Sequence, residues 1–238
     1  MRPEGILHAP CSPRSGSVAI GTSYHGRIAT EKLDPILRPL LAFYTSILAS
    51  HGHTPLGVGW NSVNAQQLRF AKLCSVLDAA GKGSIIDYGC GYGALLPYLR
   101  PYGDDLEYWG YDMCQAMIEA AKAEFGNEPA THFTTDRAEL PKADYCVASG
   151  IFSFKLDADQ QAWRDYMFAT VDDMASLATR GMAFNALTTY SDPEKQRPEL
   201  YYADPLQLFD YCKRNLSGDV ALLHDYKLFD FTIVVRMS

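Results

Sequence analysis

Asp87, Gly89, Gly91, Gly93 and Asp112 are the residues whose types and spacing suit them to chemistry. Residues 84–95 read Ser-Ile-Ile-Asp-Tyr-Gly-Cys-Gly-Tyr-Gly-Ala-Leu, an apolar run closed by an acid and three alternating glycines. β-Branched Ile85 and Ile86 suit the end of a buried parallel strand. The glycines let the backbone approach a ligand and take dihedrals that a side chain forbids. Ala94-Leu95-Leu96-Pro97-Tyr98-Leu99 then restores apolar spacing suited to a helix. Strand, glycine turn and helix form the nucleotide-binding corner of a doubly wound α/β sheet. Asp87 stands two residues before the first glycine, placed to accept from a ligand ammonium or to brace the turn. The next strand candidate, Leu106–Tyr111, ends in Asp112, nineteen residues after Gly93. An acid at that spacing suits a ribose hydroxyl pair. Asp144-Tyr145-Cys146-Val147-Ala148-Ser149-Gly150 supplies a further acid-led apolar strand.

Each piece also has a plainer explanation. The glycines alone match a loose dinucleotide fingerprint, with Ala94 close to its last position. Asp112 also suits the N-cap of a helix over 113–122, a role compatible with ribose binding. Asp136 also fits a solvated loop, and Asp144 a brace for the start of its strand.

On Asp87-Tyr88-Gly89-Cys90-Gly91-Tyr92-Gly93, Tyr111-Asp112-Met113 and Asp144–Gly150, the chain resembles the class I S-adenosylmethionine-dependent methyltransferases. The resemblance spans roughly residues 81–238. It implies that Asp87, Gly89, Cys90, Gly91 and Gly93 meet the methionine part of S-adenosyl-L-methionine. Asp112, with Met113, would hold the ribose; Asp136, with Arg137, would meet the adenine amine; and Ser149 would close the site after strand four. The Ala148–Phe152 turn and the Asp225-Tyr226…Asp230–Arg236 ending look like bacterial small-molecule methyltransferases, some of which modify sugars or secondary metabolites.

The elements that must position these residues follow from periodicity. Strands are expected near 84–88, 107–111, 131–134, 143–148 and 181–187, and helices near 92–99, 113–125, 158–179 and 203–214. The β-rich runs Val220–Tyr226 and Phe231–Met237 have too short a connection for a crossover helix, so they must be antiparallel. The expected fold is α/β, a doubly wound, seven-stranded, mostly parallel sheet with a C-terminal antiparallel hairpin and an N-terminal helical cap. That ending fits a methyltransferase and disfavours a nicotinamide oxidoreductase. One domain is expected over 1–238. Residues 1–29 read as a flexible tail, 30–80 as the cap (a helix from Thr30, then another over about 62–80), and 81–238 as the Rossmann-like core.

With 21 Lys and Arg against 28 Asp and Glu, the net charge is −7 and no long basic run occurs. A nucleic-acid partner is therefore disfavoured. The six cysteines have no CxxC spacing, so neither a disulfide framework nor a zinc site is suggested. No metal is expected. No stretch reaches membrane-spanning length, and no secretory signal precedes Pro10, so a cytoplasmic location follows.

Methyl transfer from a sulfonium is an in-line displacement, with a base needed where the acceptor must lose a proton. His224 is the best-placed histidine, and histidine titrates near neutrality. His51 and His53 in the cap linker are further candidates, and each of the three also fits a structural role. The polar, aromatic insert 188–205 contributes Tyr190 and Tyr202, suited either to gripping a sugar or to covering the sheet end. Trp60 is placed to close over the cofactor or to staple the second helix, Arg69 to pair with the cofactor carboxylate, and Asn61 to cap that helix. Ser149-Gly150-Ile151-Phe152 lacks the Asn/Asp-Pro-Pro-aromatic motif of enzymes that methylate nucleic-acid amines. The expected reaction is methylation of an O or N atom of a small polar metabolite by a soluble enzyme. Self-association as a homodimer stays open. An RNA- or protein-directed methyltransferase is the alternative, which a basic surface patch near Arg69, Lys72 and Lys82 would favour. A noncatalytic cofactor-binding subunit is another.

Overall fold

The computed structural model describes residues 30–60, 62–78, 82–103 and 105–237, with side chains from residue 35 onward. The expected tail over 1–29 and the N-cap expected at Asn61 lie outside the described residues. Eight strands and six α-helices follow in order: α1 (Thr30–His51), α2 (Val63–Leu73), β1 (Gly83–Tyr88), α3 (Leu95–Leu99), β2 (Leu106–Tyr111), α4 (Gln115–Phe125), β3 (Thr131–Thr134), β4 (Ala143–Ala148), α5 (Gln160–Leu177), β5 (Ala178–Thr188), β6 (Tyr202–Ala203), α6 (Pro205–Asn215), β7 (Asp219–Leu223) and β8 (Asp230–Arg236). The sheet runs β3-β2-β1-β4-β5-β8-β7, with two-residue β6 added beside the end of β5. Seven strands carry the sheet, as expected, and β6 makes an eighth. β1 to β6 pair in parallel, while β8 lies antiparallel between β5 and β7.

Alternation along each strand builds two cores. Ile86, Cys146, Met182, Phe184, Phe231 and Ile233 face one layer, with Trp163, Met167, Val171 and Met174 of α5 and Leu208 and Cys212 of α6. Ile85, Tyr108, Tyr145, Val147, Ala183 and Val234 face the other, with Phe70 and Leu73 of α2, Leu95 and Leu99 of α3, and Ile118 and Phe125 of α4. Adjacent residues such as Ile85 and Ile86 point to opposite faces because the strand period is two. A continuously apolar strand is the result of burial on both sides.

α2 starts at Val63, with the Ser62 hydroxyl accepting the Ala65 N–H at 3.2 Å. It ends at Leu73 and tightens into a 3-10 turn over Cys74–Val76, short of the expected reach to residue 80. Leu48 of α1 meets Tyr92, Cys114, Met117 and Ala120, which holds α1 against the glycine turn and the start of α4. Among the described residues, no helix is long and apolar enough to cross a membrane.

Candidate functional site

Parallel β1, β2, β4 and β5 all end on one edge of the sheet, so Asp87–Gly93, Asp112, Ser149–Gly150 and Thr188 share that edge. Antiparallel β8 starts there with Asp230, which faces Leu187 in register, and β7 ends there with Leu223. A cavity open to solvent lies over β1, β2 and β4.

The glycine turn is stitched to the end of β2. Gly89 and Cys90 donate their N–H groups to the Tyr111 carbonyl at 2.7 and 2.9 Å. Gly91 N–H donates to Asp112 Oδ2 at 2.9 Å, and Cys114 N–H to Asp112 Oδ1 at 2.8 Å. Asp112 therefore braces two turns with one carboxylate. It does not cap α4 in the expected way, because that helix starts at Gln115 with Cys114 as its N-cap. Burial raises the Asp112 pKa, and these two N–H bonds pull it back. Gly89 has φ +82°, and a Cβ there would stand 2.2 Å from Ile151 Cγ2. Only glycine fits that position.

Asp87 closes β1 beneath the cavity and is 2% exposed. Tyr108 donates its hydroxyl to Asp87 Oδ2 at 2.7 Å. Burial pushes the Asp87 pKa up to about 7; the Tyr108 bond opposes the rise and the charge of Asp112 adds to it. Burial, with Asp87 and Asp112 nearby, likewise holds the Cys90 thiol well above its usual value.

The cavity brings together Trp60, Asp87, Gly89, Cys90, Gly91, Asp112, Met113 and Ser149 from the sequence-based set. Its roof comes from the N-terminal helices, through Leu40 and Tyr44 of α1, Val58, and Gln66 and Phe70 of α2. Tyr44, Val58, Gln66, Phe70, Met117, Ile151 and Tyr166 were not anticipated. Gln66 carried the available signal: a polar residue four before Phe70 and seven before Leu73, on an apolar stripe. Gly93 lies just behind the lining, with Phe125 at its back.

Several expected residues are engaged elsewhere. Asp136 is exposed, does not line the cavity, and accepts the Ala138 N–H at 2.8 Å as the cap of a short turn. Arg137 is drawn away by Asp173 on α5, to which its Nε and Nη2 donate at 2.6 and 2.7 Å. Arg69 does not line the cavity either. Its Nε and Nη2 donate to Asp230 at 3.1 and 2.6 Å, so the carboxylate it meets is internal. Tyr202 accepts the Arg197 N–H on β6, outside the cavity. Tyr190 is 65% exposed, with its ring 5.7 Å from that of His224. His224 lies just beyond β7, not within it, and is exposed; burial raises the Asp230 pKa, with Arg69 first and His224 last opposing the rise. His53 stacks on Tyr92 at 5.9 Å and pairs with Glu124 at 3.5 Å. The cations of the suggested basic patch are each matched by an acid: Arg69 by Asp230, Lys72 by Asp225 and Lys82 by Asp105.

Residues 86–175 match a family model described as a methyltransferase domain. Rv1506c of Mycobacterium tuberculosis strain H37Rv, a protein assigned as a methyltransferase, is 47% identical over 163 residues, which span 68% of this chain and 98% of the relative. The chain belongs to the S-adenosylmethionine-dependent methyltransferases. Solved methyltransferases share its fold at low identity. Human N-acetylserotonin methyltransferase in complex with S-adenosylmethionine is 14% identical, with a TM-score of 0.53 over 85% of this chain and 67% of its own. The CurJ carbon methyltransferase is 12% identical, with a TM-score of 0.54 over 87% of this chain and 61% of its own. The methyltransferase match begins at Ile86 and takes in the glycine turn, Asp112, β4 and most of α5.

Proposed function

We propose that this methyltransferase holds S-adenosyl-L-methionine in the cavity over β1, β2 and β4 and methylates an O or N atom of a small molecule, a sugar or secondary metabolite, in the cytoplasm. The observation that carries this reading is the convergence of Asp87, Gly89, Cys90, Gly91, Asp112, Met113, Ser149 and Trp60 on one cavity. The residues fit the group. Acids stand at two points of the wall, apolar Val58, Met117 and Ile151 line it too, and the glycine backbone leaves no room for a Cβ at residue 89. The cofactor supplies the methyl group as an electrophilic sulfonium.

Asp87 is placed for the cofactor ammonium. Asp112 is placed for the ribose, since each carboxylate oxygen keeps a second lone pair beyond the N–H it already accepts. Met113 would hold the ribose beside Asp112 and Ser149 would close the site, and residues 30–80 act as the cap, with Trp60 over Gly150. A Cβ on Gly150 would stand 2.0 Å from Trp60 Cζ2, so this contact depends on glycine. On the β5–β8 side, His224 is the base for an acceptor that must lose a proton, with Tyr190 beside it. Arg69, Asp136, Arg137 and Tyr202 are left out of the cofactor contacts, because none of them lines the cavity and each is engaged elsewhere, with Asp230, the Ala138 amide, Asp173 and the Arg197 amide.

Calorimetric titration with S-adenosylmethionine, S-adenosylhomocysteine and NAD tests the cofactor assignment; binding of NAD alone would refute it. Incubation of labelled cofactor with a metabolite extract then tests the acceptor class. Label in a small molecule is expected, while label confined to RNA or protein would overturn the acceptor assignment.

A further inference from the structure

Trp60 is held from two sides. On one side, the guanidinium carbon of Arg69 lies 3.9 Å from the centroid of the indole. Arg69 is buried, and its Nε and Nη2 are locked to Asp230 at the start of β8. Nη1 has no hydrogen-bond partner among the described residues. It is bonded to the carbon beside the indole, so it lies within about 5 Å of that ring centroid. There the negative π-face takes the place of an acceptor. On the other side, the edge of the indole covers Gly150, where a Cβ would stand 2.0 Å from Trp60 Cζ2. Gly150 is fixed in turn, because its N–H donates to Oδ1 of fully buried Asn185 at 2.8 Å.

The two supports meet in the sheet. In the antiparallel register of β5 and β8, Asp230 faces Leu187 and Thr232 faces Asn185. Asp230 and Asn185 are therefore diagonal neighbours on one face, about 7–8 Å apart. The path through Asp230, Arg69, Trp60, Gly150 and Asn185 begins and ends on adjacent buried strands. The Trp60 backbone is tied down as well, its N–H donating to the Pro55 carbonyl at 2.7 Å. Trp60 and Gly150 line the cavity, whereas Arg69, Asp230 and Asn185 do not. The polar groups stay behind the wall, and the indole is the surface they present.

The chemistry of the ion pair suits that task. Asp230 neutralises the guanidinium, and its two bonds fix the plane of the fork. A flat cation of fixed orientation sets the place of an indole, which an apolar side chain would leave to packing alone.

We propose that Arg69 is a positioning residue: clamped by Asp230, it holds the Trp60 indole against Gly150 as part of the wall that the bound cofactor meets. This depends on the methyltransferase reading of the cavity. It gives the arginine a part in cofactor affinity without contact with the cofactor.

The test uses the full chain labelled with 5-fluorotryptophan. Its three tryptophans, Trp60, Trp109 and Trp163, give three fluorine NMR signals, and Trp60→Leu identifies the first by its loss. Arg69→Met alone strands Asp230 without a cation, so the pair is removed together as Arg69→Met with Asp230→Leu. Replacing a buried ion pair with apolar residues of similar volume is often neutral or stabilising. In the ligand-free protein that variant should shift and broaden the Trp60 signal and leave those of Trp109 and Trp163 in place. Calorimetry should find S-adenosylhomocysteine bound roughly tenfold more weakly, within the range of a desolvated cation–π contact. With Trp60→Leu already present, removing the pair should weaken binding by about twofold at most, because residues in contact are not additive. An unmoved Trp60 signal, unchanged affinity in the pair variant, or full additivity with Trp60→Leu would overturn the proposal. Should the pair variant not fold, Arg69→Lys decides, since it keeps a cation for Asp230 but gives up the flat fork. It should shift the same signal, and an unmoved one would equally overturn the proposal. Failure of the wild-type chain to bind S-adenosylhomocysteine at all would instead refute the function proposed above.

Discussion

Asp87 should make cofactor affinity depend on pH in a defined direction. Its carboxyl is buried below the cavity, with the Tyr108 hydroxyl on one oxygen and Asp112 nearby, and its pKa is pushed up to about 7 from 3.8. The folded protein therefore holds a proton on Asp87 between these two values that the unfolded chain has released. Stability from this group is fully present below pH 3.8 and is lost as pH rises toward 7, an upper bound of roughly 4 kcal/mol at about 1.36 kcal/mol per unit. A cofactor ammonium needs the carboxylate, so binding below pH 7 must first expel the proton. The ionised fraction rises from about one-tenth at pH 6 to one-half at pH 7, which makes the apparent Kd roughly fivefold tighter. The window closes near pH 7.5, because an α-amino group itself titrates at about 8. Isothermal calorimetry with S-adenosylhomocysteine, repeated in two buffers of different ionisation enthalpy, should show close to one proton released at pH 6. Asp87→Asn should abolish both the slope and the release, weaken binding at pH 7, and raise the thermal midpoint of the free protein above pH 7. Flat affinity from pH 6 to 7, or affinity that weakens as pH rises, would show that Asp87 only braces its turn.

Three substitutions test the rest of the site. Gly89→Ala meets both a φ of +82° and the Ile151 side chain, so it should lose about 1–3 kcal/mol in denaturant melts together with cofactor binding. Adding Ile151→Ala should restore only part of the stability, since the dihedral strain persists. Asp112→Asn puts an amide NH₂ against one of two backbone N–H groups, and S-adenosylhomocysteine affinity should fall at least about tenfold in calorimetry. Unchanged affinity would remove both the ribose role and the brace. Asp136→Ala removes only an exposed turn cap, and cofactor affinity should stay at the wild-type value in the same titration.

What could be read from the sequence was what neighbours along the chain decide. Ile85-Ile86-Asp87 and the three glycines define their own corner, because strand period and glycine dihedrals act over a few residues. The short connection between β7 and β8 likewise allowed only one strand direction. β6 gave no signal, since two residues carry no period. The roof was hidden for a different reason. Tyr44 and Phe70 sit on helical stripes that read as core, and only their place above the glycine turn makes them cavity wall.

Arg69 and Arg137 were drawn from the cavity by partners far along the chain. Arg69 was taken by Asp230, 161 residues away, and Arg137 by Asp173, 36 residues away. No local pattern announces such a capture, because a charged residue near a cleft looks the same whether its counter-ion is a ligand or a carboxylate from another strand. Asp112 stays within the cavity wall because its partners are backbone amides of the turn it braces, which leaves lone pairs facing outward.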